Sequence, residues 1–309
     1  MYSDAFPFDV IIADDRLCEL ASEYVQTLEE ERLLGIANDY EETKWRTRHF
    51  CRKIMDYLPL CALSREEREK SINASYTVTE QAVRKLRCHV GDNANKNSGE
   101  IGEILLYGIM QHYFKAAESV PKIFYKQNTN DLVTGADSIH IVVNDGDFSF
   151  WLGEAKVYKD LNQAMSSAAK SVKDMLERTK LDKEKSLILE LKELKQNKQL
   201  ADYIDSIVNI LSANASIDEF RKKLHVPILL VCEDEKVAQA TELDDDLRNQ
   251  LRDKYILEAQ RFYEKLKAQL STVMQQCGNV RFHLILFPIP SVEEVNTQFA
   301  KLKLKFTDD

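Results

Sequence analysis

Apolar residues recur along this chain with two different periods, and the switches between them mark out its elements. Ser138–Asn144 and Asp147–Leu152 alternate with period two and are rich in β-branched and aromatic residues, so both read as strands. Between them, Asp145-Gly146 suits a two-residue type I′ turn, which needs positive φ at both centres. With that turn as the loop, Val143 faces Phe148, Ile141 faces Phe150 and Ile139 faces Leu152, all on one face. The same register sets Asp137 opposite Glu154, and Lys156 points the same way. Facing Cβ atoms lie roughly 4.5–5.5 Å apart. Two carboxylates and an ammonium are therefore expected at the open end of an apolar face, and like charges so placed call for a cation between them.

Upstream, Phe8–Ala13 (FDVIIA) reads as a short strand. Helical spacing runs from Arg16 to Ile36 through Leu17, Leu20, Ala21, Tyr24, Val25 and Leu28. A second helical region covers Glu41 to Leu63, with Trp45, Phe50, Ile54 and Leu58 on its apolar side and a break near Pro59. Val78–Val90 holds a short helix and then strand-like LRCHV. The polar loop Gly91–Ser98 forms a seam. Ser98 suits the N-cap of a largely buried helix with Ile101, Ile104, Leu105, Ile109 and Met110, whose first turn carries Glu100 and Glu103. Lys122–Gln127 reads as a strand and Asn128–Thr134 as a loop.

Beyond the hairpin, Asp160 and Asn162 can cap a helix beginning near Gln163, and charged helical sequence continues to about Leu211. Val226–Cys232 and Val280–Phe287 are buried-strand runs flanking a long amphipathic helix, Leu243–Gln276, and Val292–Lys303 closes the chain as a helix. This order predicts an α/β fold, a mixed central sheet flanked by helices. Residues 1–90 read as an α-rich N-terminal portion, and 91–309 as a core with a helical insertion at about 163–222.

Composition narrows the functional classes. A 309-residue chain with 44% hydrophobic residues can bury a substantial core. The net charge of -9 argues against a general polyanion coat, yet Lys156–Lys198 holds ten Lys and one Arg against seven Asp and Glu. A basic stretch just after a carboxylate cluster suits a phosphate-backbone groove, or simply a solvated helix face. Glu233–Glu235 and Asp244–Asp246 are dense acidic patches, candidate partner surfaces. The six cysteines are scattered with no CxxC pair, which indicates neither a zinc site nor a disulfide framework but free thiols in a reducing compartment. No apolar run is long enough for a signal peptide or membrane span, so the expected location is cytoplasmic. GxSxG and HExxH are absent, the histidines are isolated, and His140 and His283 fall within strand runs.

What remains is a set of hard oxygen donors plus one amine: Glu103, Asp137, Glu154 and Lys156, with Glu100 one helical turn from Glu103. The small-residue contexts GAD and GEAK around the carboxylates, and the apolar strand between them, distinguish this set from a surface salt cluster. Mg²⁺ or Mn²⁺ prefers such donors. Lys156 could orient or help deprotonate an attacking water and offset transition-state charge, which suits phosphodiester hydrolysis.

These motifs resemble the PD-(D/E)XK nuclease superfamily: Gly99 and Glu103 match its G-x-x-x-E helix, Gly135-Ala136-Asp137 its metal-binding Asp, and Glu154-Ala155-Lys156 its E-x-K. No Pro precedes Asp137, a departure frequent in that superfamily. The resemblance implies a PD-(D/E)XK-like sheet, a catalytic set of Asp137, Glu154, Lys156, Glu103 and Gln163, and a metal held by Asp137, Glu154, Glu103 or Glu100. More narrowly, SGEIGEILLYGIMQHYF, GADSIHI and FWLGEAKVYKD are similar to the nuclease subunit of the Hachiman anti-phage defence system. That likeness implies a DNA-cleaving effector complexed with a helicase-type ATPase encoded alongside. No GxxxxGK[ST] occurs here, so any ATP-driven step would fall to that partner. A nuclease-like adaptor without catalysis and an RNA-cleaving nuclease are the alternatives.

Overall fold

The computed structural model describes residues 6–21, 23–25, 28, 30–70, 75–86, 94–117, 135–190, 194, 197–271 and 279–306. Strand β1 (Asp9–Arg16) leads through a single helical turn, α1 (Leu17–Leu20), to β2 (Glu30–Ala37). A small hairpin, β3 (Tyr40–Glu41) and β4 (Lys44–Trp45), precedes α2 (Thr47–Ala62), α3 (Arg65–Lys70) and α4 (Ser75–Arg84). Next come α5 (Ala94–His112), the hairpin β5 (Ser138–Asn144) and β6 (Asp147–Tyr158), and helices α6 (Leu161–Met175), α7 (Arg178–Glu190), α8 (Ile204–Leu211) and α9 (Ile217–Lys222). β7 (Leu224–Glu233), α10 (Glu235–Gln239), α11 (Asp245–Leu270), β8 (Arg281–Ile289) and α12 (Val292–Leu304) complete the order.

Six strands form one mixed sheet, ordered β1-β2-β8-β7-β6-β5. β2, β8, β7 and β6 are parallel, and β1 and β5 close the edges antiparallel. The inner strands β7 and β8 are buried on both faces, which is why their sequences run as PILLV and HLILF without alternation. Helices flank the sheet. α5 packs on β6 from one side, where Gly102 lies against Ala155 and Val157. α6 packs on β6 from the other, where the Tyr158 hydroxyl donates to Ser167 Oγ at 3.2 Å. α2 and α12 extend the first layer and α11 the second. The α/β architecture expected from the hydrophobic pattern is the one observed.

Several elements differ from expectation, each for a physical reason. The helical spacing at Arg16–Ile36 yields only α1; Glu30–Ala37 is instead β2, between β1 and β8. Buried on both faces, β2 has an apolar run with no period-two signature, and pairing with distant strands overrides local propensity. β1 does form at FDVIIA but runs on through Asp14, which takes φ 54° beside an irregularity in the β1–β2 register. α2 does not break at Pro59, which sits in its last turn, where Leu63 N–H still reaches the Pro59 carbonyl at 3.2 Å. α5 begins at Ala94, so Ser98 is not an N-cap; its hydroxyl accepts from Asn296 Nδ2 at 2.8 Å. The expected strands at 86–90 and 122–127 and the loop 128–134 fall mainly or wholly outside the described residues. The division at residue 90 is one of sequence order, since β2 from before it hydrogen-bonds to β8 from after it.

The acidic patches prove to be capping groups in large part. Glu233 accepts from Val292 N–H at 2.8 Å, Asp234 from Lys236 N–H at 2.9 Å, and Asp244 from Leu247 N–H at 2.8 Å. Among the described cysteines, Cys18, Cys51, Cys61 and Cys232 are free thiols. No described helix is long and apolar enough to cross a membrane.

Candidate active site

The hairpin has the expected register. Asp145 and Gly146 take φ 52° and 78°, and Val143 pairs with Phe148, Ile141 with Phe150 and Ile139 with Leu152. Just before β5, Asp137 is fixed at both backbone and side chain. Its N–H donates to the Gly153 carbonyl at 2.7 Å, and its Oδ2 accepts from Ala155 N–H at 3.0 Å. That second bond places the carboxylate beside the backbone joining Glu154 to Lys156.

Glu154 is 4% exposed and forms an ion pair with Lys156. Burial raises its pKa to about 7, the Asp137 carboxylate adds to the rise, and Lys156 and the Ser171 hydroxyl on α6 hold it back. Burial alone would depress the Lys156 ammonium, but Glu154 and then Asp137 outweigh that and hold its pKa above the ordinary value. Lys156 is therefore a cation and hydrogen-bond donor at neutral pH. A cation suits the orienting and charge-offsetting part of the role expected for it.

The two layers converge on a cavity of about 660 Å³ lined by Gly99, Glu103, Asp137, Lys156, Lys159 and Gln163, among others. Gly102 explains how α5 delivers Glu103 there. A Cβ at residue 102 would stand 3.0 Å from Val157 Cγ2 and 3.3 Å from Ala155 Cβ, so the helix lies unusually close to the strand. On the other side, Asp160 caps α6 through Gln163 N–H at 2.8 Å, which sets Gln163 at the cavity rim. Glu100 is not brought into this set. Its Oε2 lies 3.7 Å from the ammonium of Lys303, which is only 2% exposed and needs a counter-charge where it is buried.

The sequence matches the HamA family model over residues 14–302. The chain belongs to the HamA family. The family is that of Hachiman defence protein A, and membership implies an anti-phage defence protein. No curated protein sequence matches it significantly.

The donor set suits a hard divalent cation: two mutually repelling carboxylates, Asp137 and buried Glu154, with Glu103 on the cavity that Asp137 lines. As they stand, no three acidic, His or Cys side chains among the described residues converge closely enough to hold an ion, and Glu154 is engaged by Lys156. A metal would be held by Asp137 and Glu154, with Glu103, which lines the cavity, as a further candidate. Two supporting groups escaped the motif-based reading. Ser171 on α6 helps hold down the pKa of Glu154, and Glu184 on α7 accepts from Ala136 N–H at 3.1 Å. Neither lies within a motif, and only folding brings them to the hairpin.

His140 and His283 are core residues, as expected, but His283 is not isolated: the fold brings it against His225. His140 is fully buried. Arg281 donates to His225 Nε2 at 3.1 Å, which leaves His225 Nδ1–H to donate to His283 Nε2 at 2.8 Å and His283 Nδ1–H to donate to Asp14 at 3.0 Å. That chain ties β7 and β8 to β1.

Proposed function

We propose that this chain is a metal-dependent nuclease of the PD-(D/E)XK type, hydrolysing phosphodiester bonds in DNA as the effector of an anti-phage complex gated by a helicase-type ATPase. The observation that carries the reading is the bond from Ala155 N–H to Asp137 Oδ2, which sets Asp137 against the backbone joining buried Glu154 to Lys156, with Asp137 and Lys156 on the cavity that Glu103 and Gln163 also line. Mg²⁺ or Mn²⁺ bound there would neutralise phosphate charge and lower the pKa of the attacking water. Asp137 and Glu154 hold the ion's place, Lys156 donates to the phosphoryl oxygens as charge builds on them, and Gln163 orients the scissile phosphate from the rim. Lys159 at the cavity, with exposed lysines such as Lys170 and Lys183 on α6 and α7, offers charge to the flanking backbone.

A second reading, a nuclease-like adaptor without catalysis, draws on the ion pair that engages Glu154 and on the lack of three converged donors. One experiment separates the readings. The purified chain, alone and co-expressed with the neighbouring helicase-type protein, is incubated with DNA or RNA in Mg²⁺, Mn²⁺ or EDTA, with and without ATP. Cleavage of DNA that needs the metal, from a co-eluting complex that needs ATP or a particular DNA end, is the expected result. Cleavage of RNA alone would change the substrate, and no metal-dependent cleavage under any condition would leave the adaptor.

A further inference from the structure

The segment Gly135-Ala136-Asp137 is gripped from a part of the chain that the nuclease motifs do not include. Glu184 lies on α7, in the region read from sequence as a helical insertion, and is 4% exposed. A carboxylate in such a place must be hydrogen-bonded to be tolerated. One of its bonds goes to the hairpin, with Oε1 accepting from Ala136 N–H at 3.1 Å across 48 positions of sequence. Gly135 makes room for it, because a Cβ at that residue would fall 1.5 Å from the same oxygen. The helix is itself anchored, with Leu181 and Ile188 buried and Lys185 Nζ donating to the Ala215 carbonyl at 3.5 Å.

From this geometry we infer that Glu184 is a positioning residue: it latches the backbone one residue before Asp137 and so fixes the carboxylate that the proposed metal site needs. Asp137 is then held at three consecutive points, by Glu184 through Ala136, by Gly153 through its own N–H, and by Ala155 through its side chain. Partners that orient metal ligands in this way typically control affinity or activity by about 10- to 100-fold. The insertion thereby acts as part of the active-site scaffold. The inference rests on the metal-site reading above.

The test compares Glu184→Leu, which removes the acceptor, with Glu184→Gln, which keeps an oxygen in its place. Mn²⁺ binding is measured by calorimetry and Ala136 amide exchange by NMR in the metal-free chain. Glu184→Leu should weaken Mn²⁺ binding about 10- to 100-fold and speed Ala136 exchange, whereas Glu184→Gln should stay close to wild type in both. A folded Glu184→Leu variant with wild-type Mn²⁺ affinity overturns the inference, as does a Glu184→Gln variant as weak as Glu184→Leu. If Glu184→Leu does not fold, Gly135→Ala decides. Its methyl displaces the carboxylate, so wild-type affinity there is the contrary result. If the wild-type chain binds no Mn²⁺ the metal-site reading fails first, and unchanged Ala136 exchange in Glu184→Leu would then remove the latch as well.

Discussion

At the scale of single residues, the site is governed by one buried carboxylate and its cation. Glu154 has a folded-state pKa raised from an ordinary 4.5 to about 7. A raised pKa means that protonation favours the folded state. The contribution is full below about pH 4.5 and is lost as pH rises toward 7 in the metal-free protein. His225 and His140, pushed down to about 2 and about 3 by burial, pull oppositely, since they must charge on unfolding below their ordinary 6.5. The informative quantity is therefore the difference between wild type and Glu154→Gln in EDTA. Denaturant unfolding should show the variant gaining stability relative to wild type between pH 5 and pH 7. A constant difference across that window would mean that Glu154 is not strained as described. Lys156→Ala belongs to the same scale. Removing a donor that acts on the transition state typically costs ~2.7–4 kcal/mol, or about 10²–10³ in rate. Mn²⁺ binding should be no weaker, because the ammonium competes with the metal for Glu154. Full cleavage by Lys156→Ala would end its catalytic assignment.

At the scale of elements, the legible parts of the fold were those whose signals are local. The Asp145-Gly146 turn specifies its own dihedrals, and alternation in the flanking strands sets the register, so the facing pairs of the hairpin could be read directly. β2 could not, because a strand buried on both faces has no alternation to read. Ser98 looked like a cap because capping chemistry is common to many serines, while α5 starts four residues earlier, where the polar run Gly91–Ser98 offers several cap-type residues, Asn93 among them, and reads as loop. Glu103 was the favoured of the two first-turn glutamates in sequence, and the packing of α12, whose Lys303 engages Glu100, separates them in the fold. Ser171 and Glu184 were invisible for the same reason, since their roles exist only across long sequence separations. Helix spacing yields a test here. In Gly102→Ala, the new methyl would press on Val157 at 3.0 Å and push α5 away from β6. Overpacking of this kind typically costs 1–3 kcal/mol. Chemical denaturation should show that loss, and cleavage should slow as Glu103 retreats from the cavity. Wild-type stability together with wild-type rate would mean that the close approach is unimportant.

At the scale of the whole molecule, the HamA match over residues 14–302 takes in the end of β1, all of β2, the hairpin, the inserted helices and most of the closing helix. That agrees with a sheet in which β1 and β2 are structurally continuous with the strands bearing the candidate site. Of the acidic patches read as candidate partner surfaces, Glu233, Asp234 and Asp244 also cap helices, while Glu235, Asp245 and Asp246 stay exposed. The account stands or falls on whether Asp137 and Glu154 jointly hold a divalent ion. The most direct measurement is a calorimetric titration of Mn²⁺ into the wild-type chain and into Asp137→Ala, with circular dichroism to show that both are folded. A saturable site in the wild type that is lost in Asp137→Ala is the expected result. Equal Mn²⁺ affinity in the two proteins would contradict the site as it is drawn.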